Sequence, residues 1–324
     1  WPVCCLIMGC QVSPTTEPGP ARALPMAEVF ERSPLYYSVD QGQSWTPMGQ
    51  GIPGEAQVSF LDTLEGEVVV ATENMGLFLS DGHMTHWAPI GESLPGTKIN
   101  ALQVTQGELW VGIYQHGVFV SEDQGETWTD RTADLPDRRI QSFWKEGEWT
   151  LAGTDSGLFQ YDTDEHSWVS LLPDRQIVSL FIQDGQWVAG TNRGTYLSAD
   201  AGRTWALAHD SRAVHGTRRV DGNIAQCYIN GDLYVSDDRG KSWREENYFP
   251  REGSYIYNIV SLGGQWLMSN NYGIHRSSDR GRSWQLIWPS EQMVFFEFLP
   301  LNGMVLCGTR DWNEYRGRTW GRQY

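Results

Sequence analysis

Past its first ten residues this chain has no long apolar run: nothing approaches the ~18 residues of a membrane-spanning helix. It is poor in lysine, with three among 24 basic residues and arginine supplying the other 21. Positive charge as a whole is in deficit. The formal net charge of −16 argues against nucleic acid, whose binding depends on cations that neutralise phosphates. Cysteine is sparse, and no CxxC or Cys/His neighbour pair suggests zinc. Cys227 and Cys307 fall on predicted strands two repeats apart, too far to bring their Cα atoms within about 7 Å, so two buried thiols are expected. No P-loop, GxSxG, HExxH or Cys/His nucleophile pattern occurs, and neither metal nor cofactor is expected. His83 and His86 are three apart but not on a helix, so they read as a solvated turn.

What the chain does have is repetition. Ser-x-Asp-x-Gly-x-Ser/Thr-Trp stands complete at Ser38–Trp45, Ser121–Trp128, Ser198–Trp205, Ser236–Trp243 and Ser277–Trp284, and decayed copies end at Trp87, Trp168 and Trp320. Successive box tryptophans are 36 to 42 residues apart, the period of an array built from one supersecondary unit. Ile99–Val104 alternates, Gln106-Gly107 turns, and Glu108–Ile113, Val118–Ser121 and Thr127–Arg131 follow as further strands. Four short strands with turns between them make an antiparallel meander, A to D. Repeated radially, that is a β-propeller blade.

The A–B turn glycine occurs seven times, at Gly66, Gly107, Gly147, Gly185, Gly222, Gly264 and Gly303, against eight box tryptophans. Ala27–Met48 carries strands C and D with no strand A upstream, while Met293–Arg310 carries A and B. An all-β, seven-bladed propeller of four-stranded antiparallel blades follows, its last blade closed by N- and C-terminal strands, which removes an exposed edge. The alternative is eight blades, with 311–324 a degraded outer hairpin; otherwise 311–324 is a tail. The domain reading is a truncated signal peptide at 1–10, a polar tether at 11–26 and one propeller over 27–324.

Trp-Pro-Val-Cys-Cys-Leu-Ile-Met-Gly-Cys resembles the end of a signal peptide, and Ile7-Met8-Gly9-Cys10 a bacterial lipobox with Cys10 as the lipidated residue. An exported protein, anchored to a bacterial membrane only through lipid, is expected; a plain secretory peptide is the alternative. The box aspartates Asp40, Asp123, Asp200, Asp238 and Asp279 are expected to be structural. Each can accept hydrogen bonds from its own turn, and none has a second carboxylate at calcium-ligand spacing. Boxes and A–B turns share one face, so a binding site is expected on the other, made by B–C and D–A loops. That face carries Lys98, Arg138, Arg139, Arg175 and Arg212 on D–A connections, and Arg193 and Arg310 on B–C connections. Tyr255, Tyr272 and Trp288 accompany them. Arginine with exposed aromatics is the composition of a protein-binding hot spot; the competing reading is that each Arg pairs with an Asp such as Asp137 or Asp174.

The boxes, the period and the Gly-Leu/Val-Phe/Tyr-x-Ser-x-Asp phrase resemble the Asp-box (BNR) propellers. The chain looks most like single-ring bacterial relatives of the photosystem II stability/assembly factor. That resemblance implies an exported or lipidated, non-enzymatic scaffold binding a protein partner, in part through arginine-rich surface. A protein partner and a monomeric chain are expected, with a membrane complex or a glycan as the alternative partners. Two enzyme readings stand beside it. A sialidase-like glycosidase needs a Phe-Arg-Ile-Pro segment, for which Phe30-Glu31-Arg32-Ser33-Pro34 does not serve. A xyloglucanase-like hydrolase needs two carboxylates across a cleft; Asp155 and Asp311 sit on suitable loops, but nothing in the sequence pairs them.

Overall fold

A computed structural model describes residues 33–146, 149–209, 213–228, 231–246, 255–289 and 293–311. The expected signal peptide with Cys10, the expected tether, Arg212, Gly147, Trp320 and residues 312–324 lie outside the described residues.

Seven four-stranded antiparallel sheets are present. Blade 1 is β3 (Val58–Leu64), β4 (Glu67–Thr72), β5 (Leu77–Ser80) and β6 (Trp87–Ile90). Blade 2 is β7 (Ile99–Thr105), β8 (Glu108–Ile113), β9 (Gly117–Ser121) and β10 (Thr129–Asp130). Blade 3 runs from β11 (Ile140–Glu146) and β12 (Trp149–Thr154) to β13 (Gly157–Asp162) and β14 (Ser167–Pro173). Blade 4 comprises β15 (Ile177–Gln183), β16 (Gln186–Thr191), β17 (Gly194–Ser198) and β18 (Ala206–His209). Blade 5 comprises β19 (Val214–Val220), β20 (Asn223–Tyr228), β21 (Leu233–Ser236) and β22 (Arg244–Glu246). Blade 6 comprises β23 (Ile256–Leu262), β24 (Gln265–Asn270), β25 (Gly273–Ser277) and β26 (Gln285–Pro289). The last sheet joins β27 (Met293–Leu301) and β28 (Met304–Asp311) to β1 (Leu35–Ser38) and β2 (Thr46–Met48), in the order β2-β1-β28-β27. Each strand A meets the strand A of the next blade, and β27 meets β3, so the ring is closed with seven blades and not eight.

The six A–B hairpins among the described residues close on two left-handed residues, as at Gln106 (φ 49°) and Gly107 (φ 82°). That is the type I′ geometry whose twist matches the flanking strands. Strand B is buried along its inner five residues in blades 1 to 6, because a neighbouring sheet covers each of its faces. Its fifth residue must then be small: Ala71, Gly112, Gly153, Gly190, Cys227, Ser269 and Gly308. A Cβ on Gly112 would lie 2.6 Å from Cβ of Ile140, which opens the next blade's strand A. Gly153 faces Ile177, Gly190 faces Val214, and Gly308 faces Val58 across the closing seam. Cys227 and Cys307 are buried free thiols in blades 5 and 7, and burial pushes the Cys227 thiol up to about 12.

Candidate functional site

The five complete boxes share one Ser–Asp–Gly hydrogen-bond geometry, and four of them add a tryptophan closure that Trp243 of the blade 5 box does not make. In blade 2, Ser121 Oγ donates to Asp123 Oδ1 (2.8 Å) and accepts from Gly125 N–H (2.7 Å), while Thr127 N–H donates to Asp123 Oδ1 (2.8 Å). Trp128 Nε1 closes the turn on Gly125 O at 3.1 Å. The residue before each box glycine is also left-handed, from Gln41 (φ 61°) to Arg280 (φ 60°). Hydrogen bonds from Thr127, then from Ser121, hold Asp123 at about 2, and Asp200 and Asp279 are held likewise by their own boxes. The decayed box at Asp81 keeps the carboxylate clamp, with Thr85 N–H at 2.7 Å. Boxes also reach the preceding blade's A–B turn: Gln124 Nε2 donates to Glu65 (2.9 Å), and Arg239 pairs with Asp184 (3.0 Å). The box carboxylates are occupied in holding their turns together.

The opposite end of the central channel is built differently. Every strand A carries a β-bulge, at its second residue in blades 1 to 6 and at the fourth residue of β27. Bulges bend a strand and re-aim one side chain, and here the extra residue of all seven blades lines a cavity of about 1150 Å³. The polar sector comes from Ser59, Asn100 and Gln141; Val178, His215, Tyr257 and Phe296 form the other. Four cations line this cavity with two carboxylates. Arg218 pairs with Glu297 at 3.5 Å and Arg310 pairs with Glu73, which leaves Lys98 and Arg193 without a carboxylate among the described residues. Burial pushes Glu297 up, countered by Arg218, while burial and then Arg218 and Arg310 push His215 down to about 4.

Models of the BNR/Asp-box repeat match at residues 36–47 and 233–246, each coincident with a C–D hairpin of the ring. The chain is an Asp-box β-propeller. No curated protein matches this propeller's sequence. Among solved structures it is similar to YCF48 bound to a D1 peptide, with 16% identity and TM-score 0.64, covering 87% of this chain and 97% of that one. It is also similar to the extracellular domain of a hybrid two-component system from B. thetaiotaomicron (15% identity, TM-score 0.68), covering 80% of this chain and 38% of that one. The GH74 xyloglucanase of Xanthomonas campestris is 20% identical at TM-score 0.54, covering 77% of this chain and 46% of that one. The propeller thus spans well under two thirds of the last two and nearly all of YCF48. At these identities the likeness is one of fold.

The propeller brings together three of the sequence-identified cations, Lys98, Arg193 and Arg310, in the channel mouth. Arg310 is also a structural clamp, because its Nε donates to Val58 O (2.7 Å) and its guanidinium lies 3.3 Å from the Phe296 ring centre. Lys98 Nζ sits 4.0 Å from the Tyr114 ring centre. Arg138, Arg139 and Arg175 stand outside the cavity. Arg139 follows the ion-pair reading, bridging Asp137 and Asp155 at 3.1 Å each. Arg175 lies over Tyr196 (4.4 Å) and donates to Pro173 O, and Arg138 is exposed. Tyr255 and Tyr272 are half-buried loop residues whose backbone N–H groups donate to Asn271 and Asn270. Trp288 packs into the blade 6–7 core rather than projecting from the face. Asp155 has its oxygens taken up by Gln141 (2.7 Å), Gln176 (2.8 Å) and Arg139.

Sequence reasoning missed Glu73, His215, Arg218, Tyr257, Phe296 and Glu297. One signal was available: Arg218 and Glu297 are charges inside strand A segments that otherwise read as buried. The bulge ring has no residue signature, because its seven members share no chemistry.

Proposed function

We propose that this propeller is a non-enzymatic, exported scaffold, tethered to a bacterial membrane through lipid at Cys10, that binds a protein partner across the channel mouth. The observation that carries the reading is the pair of uncompensated cations, Lys98 and Arg193, at the lip of a cavity whose other charges are already paired. Charge in excess at a concave, partly aromatic mouth favours a partner segment with acidic groups. The likeness to YCF48, a propeller of matching extent solved with a D1 peptide bound, supports peptide or protein binding over turnover. The occupied oxygens of Asp155 speak against its use as a glycosidase carboxylate.

Charge reversal tests the reading. Lys98→Glu with Arg193→Glu is expected to abolish recovery of a cross-linked partner from native membranes without lowering Tm. An unchanged cross-link overturns the assignment of the mouth, and turnover of a fluorogenic sialoside or aryl glycoside overturns the non-enzymatic reading. For the tether, Cys10→Ser in the full-length precursor should abolish fatty-acid labelling and release the protein to the soluble fraction; retained label removes the anchor from the proposal.

A further inference from the structure

The lower face, where boxes and A–B turns lie, holds a second cavity of about 1430 Å³ between the ends of the A strands of blades 3, 4 and 5. That volume exceeds the ~300–1,000 Å³ of ordinary ligand pockets. Its walls are aromatic. Trp149 meets Trp187 edge to face at 5.2 Å, and Trp144 meets Phe181 at 5.9 Å. The fold does not require an indole at Trp149. It opens strand B of blade 3, where the six sister blades carry Glu67, Glu108, Gln186, Asn223, Gln265 and Met304. Trp144 and Trp149 are only half-buried, so the cavity keeps indole surface in contact with solvent.

The charges of this cavity do not cancel. Asp184 is paired with Arg239 at 3.0 Å, and Asp200 is occupied by its own box, accepting from Thr204 N–H (2.9 Å). Arg218 is paired with Glu297. Arg203 and Arg219, both exposed, have no carboxylate partner among the described residues. Indole faces beside two uncompensated guanidinium forks form a surface complementary to a ring that carries a carboxylate or sulfate. The indoles take its apolar face and the guanidiniums its oxygens.

We infer that this cavity is a binding site for a ring-bearing anion, an acidic saccharide or an aromatic acid, separate from the partner-binding mouth above. Titration calorimetry with trigalacturonate and with indole-3-acetate separates the two sources, with cellotriose and tryptophol as their neutral counterparts. At least one anion should bind while its neutral counterpart does not. Trp149→Gln, which installs the residue of blades 4 and 6, should weaken that binding about tenfold or more, as should Arg203→Gln with Arg219→Gln, the scale of one lost charge-assisted hydrogen bond. Lys98→Glu with Arg193→Glu should leave it unchanged, so failure here is distinct from failure of the upper site. Thermal unfolding of each variant separates lost binding from lost fold. No binding by either anion, equal binding of the neutral compounds, or folded variants that bind like the parent would each overturn the assignment.

Discussion

Replacing Ser121 by Ala isolates the part of the box that stabilises the ring. The hydroxyl is buried, accepts the Gly125 N–H at 2.7 Å and donates to Asp123 at 2.8 Å. Without it the Gly125 N–H is left in a buried position with no acceptor, at a cost of roughly 1–3 kcal/mol. The Asp123 side of the loss is small by comparison, because that half-buried carboxylate still accepts from Thr127 N–H at 2.8 Å. The expected total is about 2 kcal/mol, or a Tm fall of roughly 4 °C for a domain of this size. Guanidinium titration followed by tryptophan fluorescence, alongside a calorimetric scan, measures both quantities. Thr127→Val is the control: its hydroxyl donates to the same carboxylate but from the exposed side, where losses usually stay within about 0.5 kcal/mol. Ser121→Ala with Asp123→Ala should cost less than the sum of the single changes, as members of one network do. The reasoning is refuted if Thr127→Val costs as much as Ser121→Ala, or if Ser121→Ala shifts the midpoint by less than about 0.5 kcal/mol.

Gly308→Ala tests the closing seam. Its new Cβ would overlap Val58 of blade 1, and overpacking of this kind costs about 1–3 kcal/mol. Val58→Ala in the same chain should recover much of that loss in urea melts, and absence of recovery would contradict the knob-and-notch account of the ring. Acid should act in two windows. His215 and His275 are held at about 4 in the fold against 6.5 otherwise, so the unfolded chain takes up protons first and stability falls from about pH 6.5 to 4. Asp81, Asp123, Asp200 and Asp279 are held at about 2 against 3.8, so their contribution is present above about pH 4 and lost towards pH 2. Urea midpoints from pH 7 to 2.5 check this: His215→Gln should flatten the upper window and leave the lower one, and a flat profile between pH 7 and 4 would contradict it.

The architecture was legible because the box and the A–B turn are each imposed by backbone geometry; the small fifth residue of strand B, imposed by close packing, repeats as well but shows its meaning only once neighbouring sheets are in place. A turn with two left-handed residues admits few side chains, so Gln106-Gly107 and its counterparts repeat. Counting turn glycines against box tryptophans exposed the split last blade, since Leu35–Ser38 has no strand A before it. The site was only partly legible. Loop position put Lys98, Arg193 and Arg310 on one face, and they line one cavity there, but it could not tell a free cation from a paired one. Arg139 reads like Arg193 in the sequence and differs only because Asp137 and Asp155 lie 3.1 Å from it.

Repetition itself supplies the sharper guide to function in such a ring. Where the five complete boxes agree, the residue answers to the fold: Ser121 and its counterparts Ser38, Ser198, Ser236 and Ser277 each accept the box glycine N–H within 2.7–2.9 Å. Where one blade departs from its sisters without a packing reason, the fold does not account for the choice. Trp149 departs in this way on the lower face, and on the channel wall so do Arg218 and Glu297, which form a charge pair across it where other blades place neutral side chains at one or both equivalent positions. Both departures border a cavity, and Arg218 lines the upper and the lower one alike. Leu180 and Thr217 are shared in the same way, so the Arg218–Glu297 pair sits where the upper and lower surfaces adjoin. A substitution at Arg218 is therefore expected to alter binding at both, whereas Lys98→Glu with Arg193→Glu, remote from the lower lining, is expected to leave the lower one unchanged.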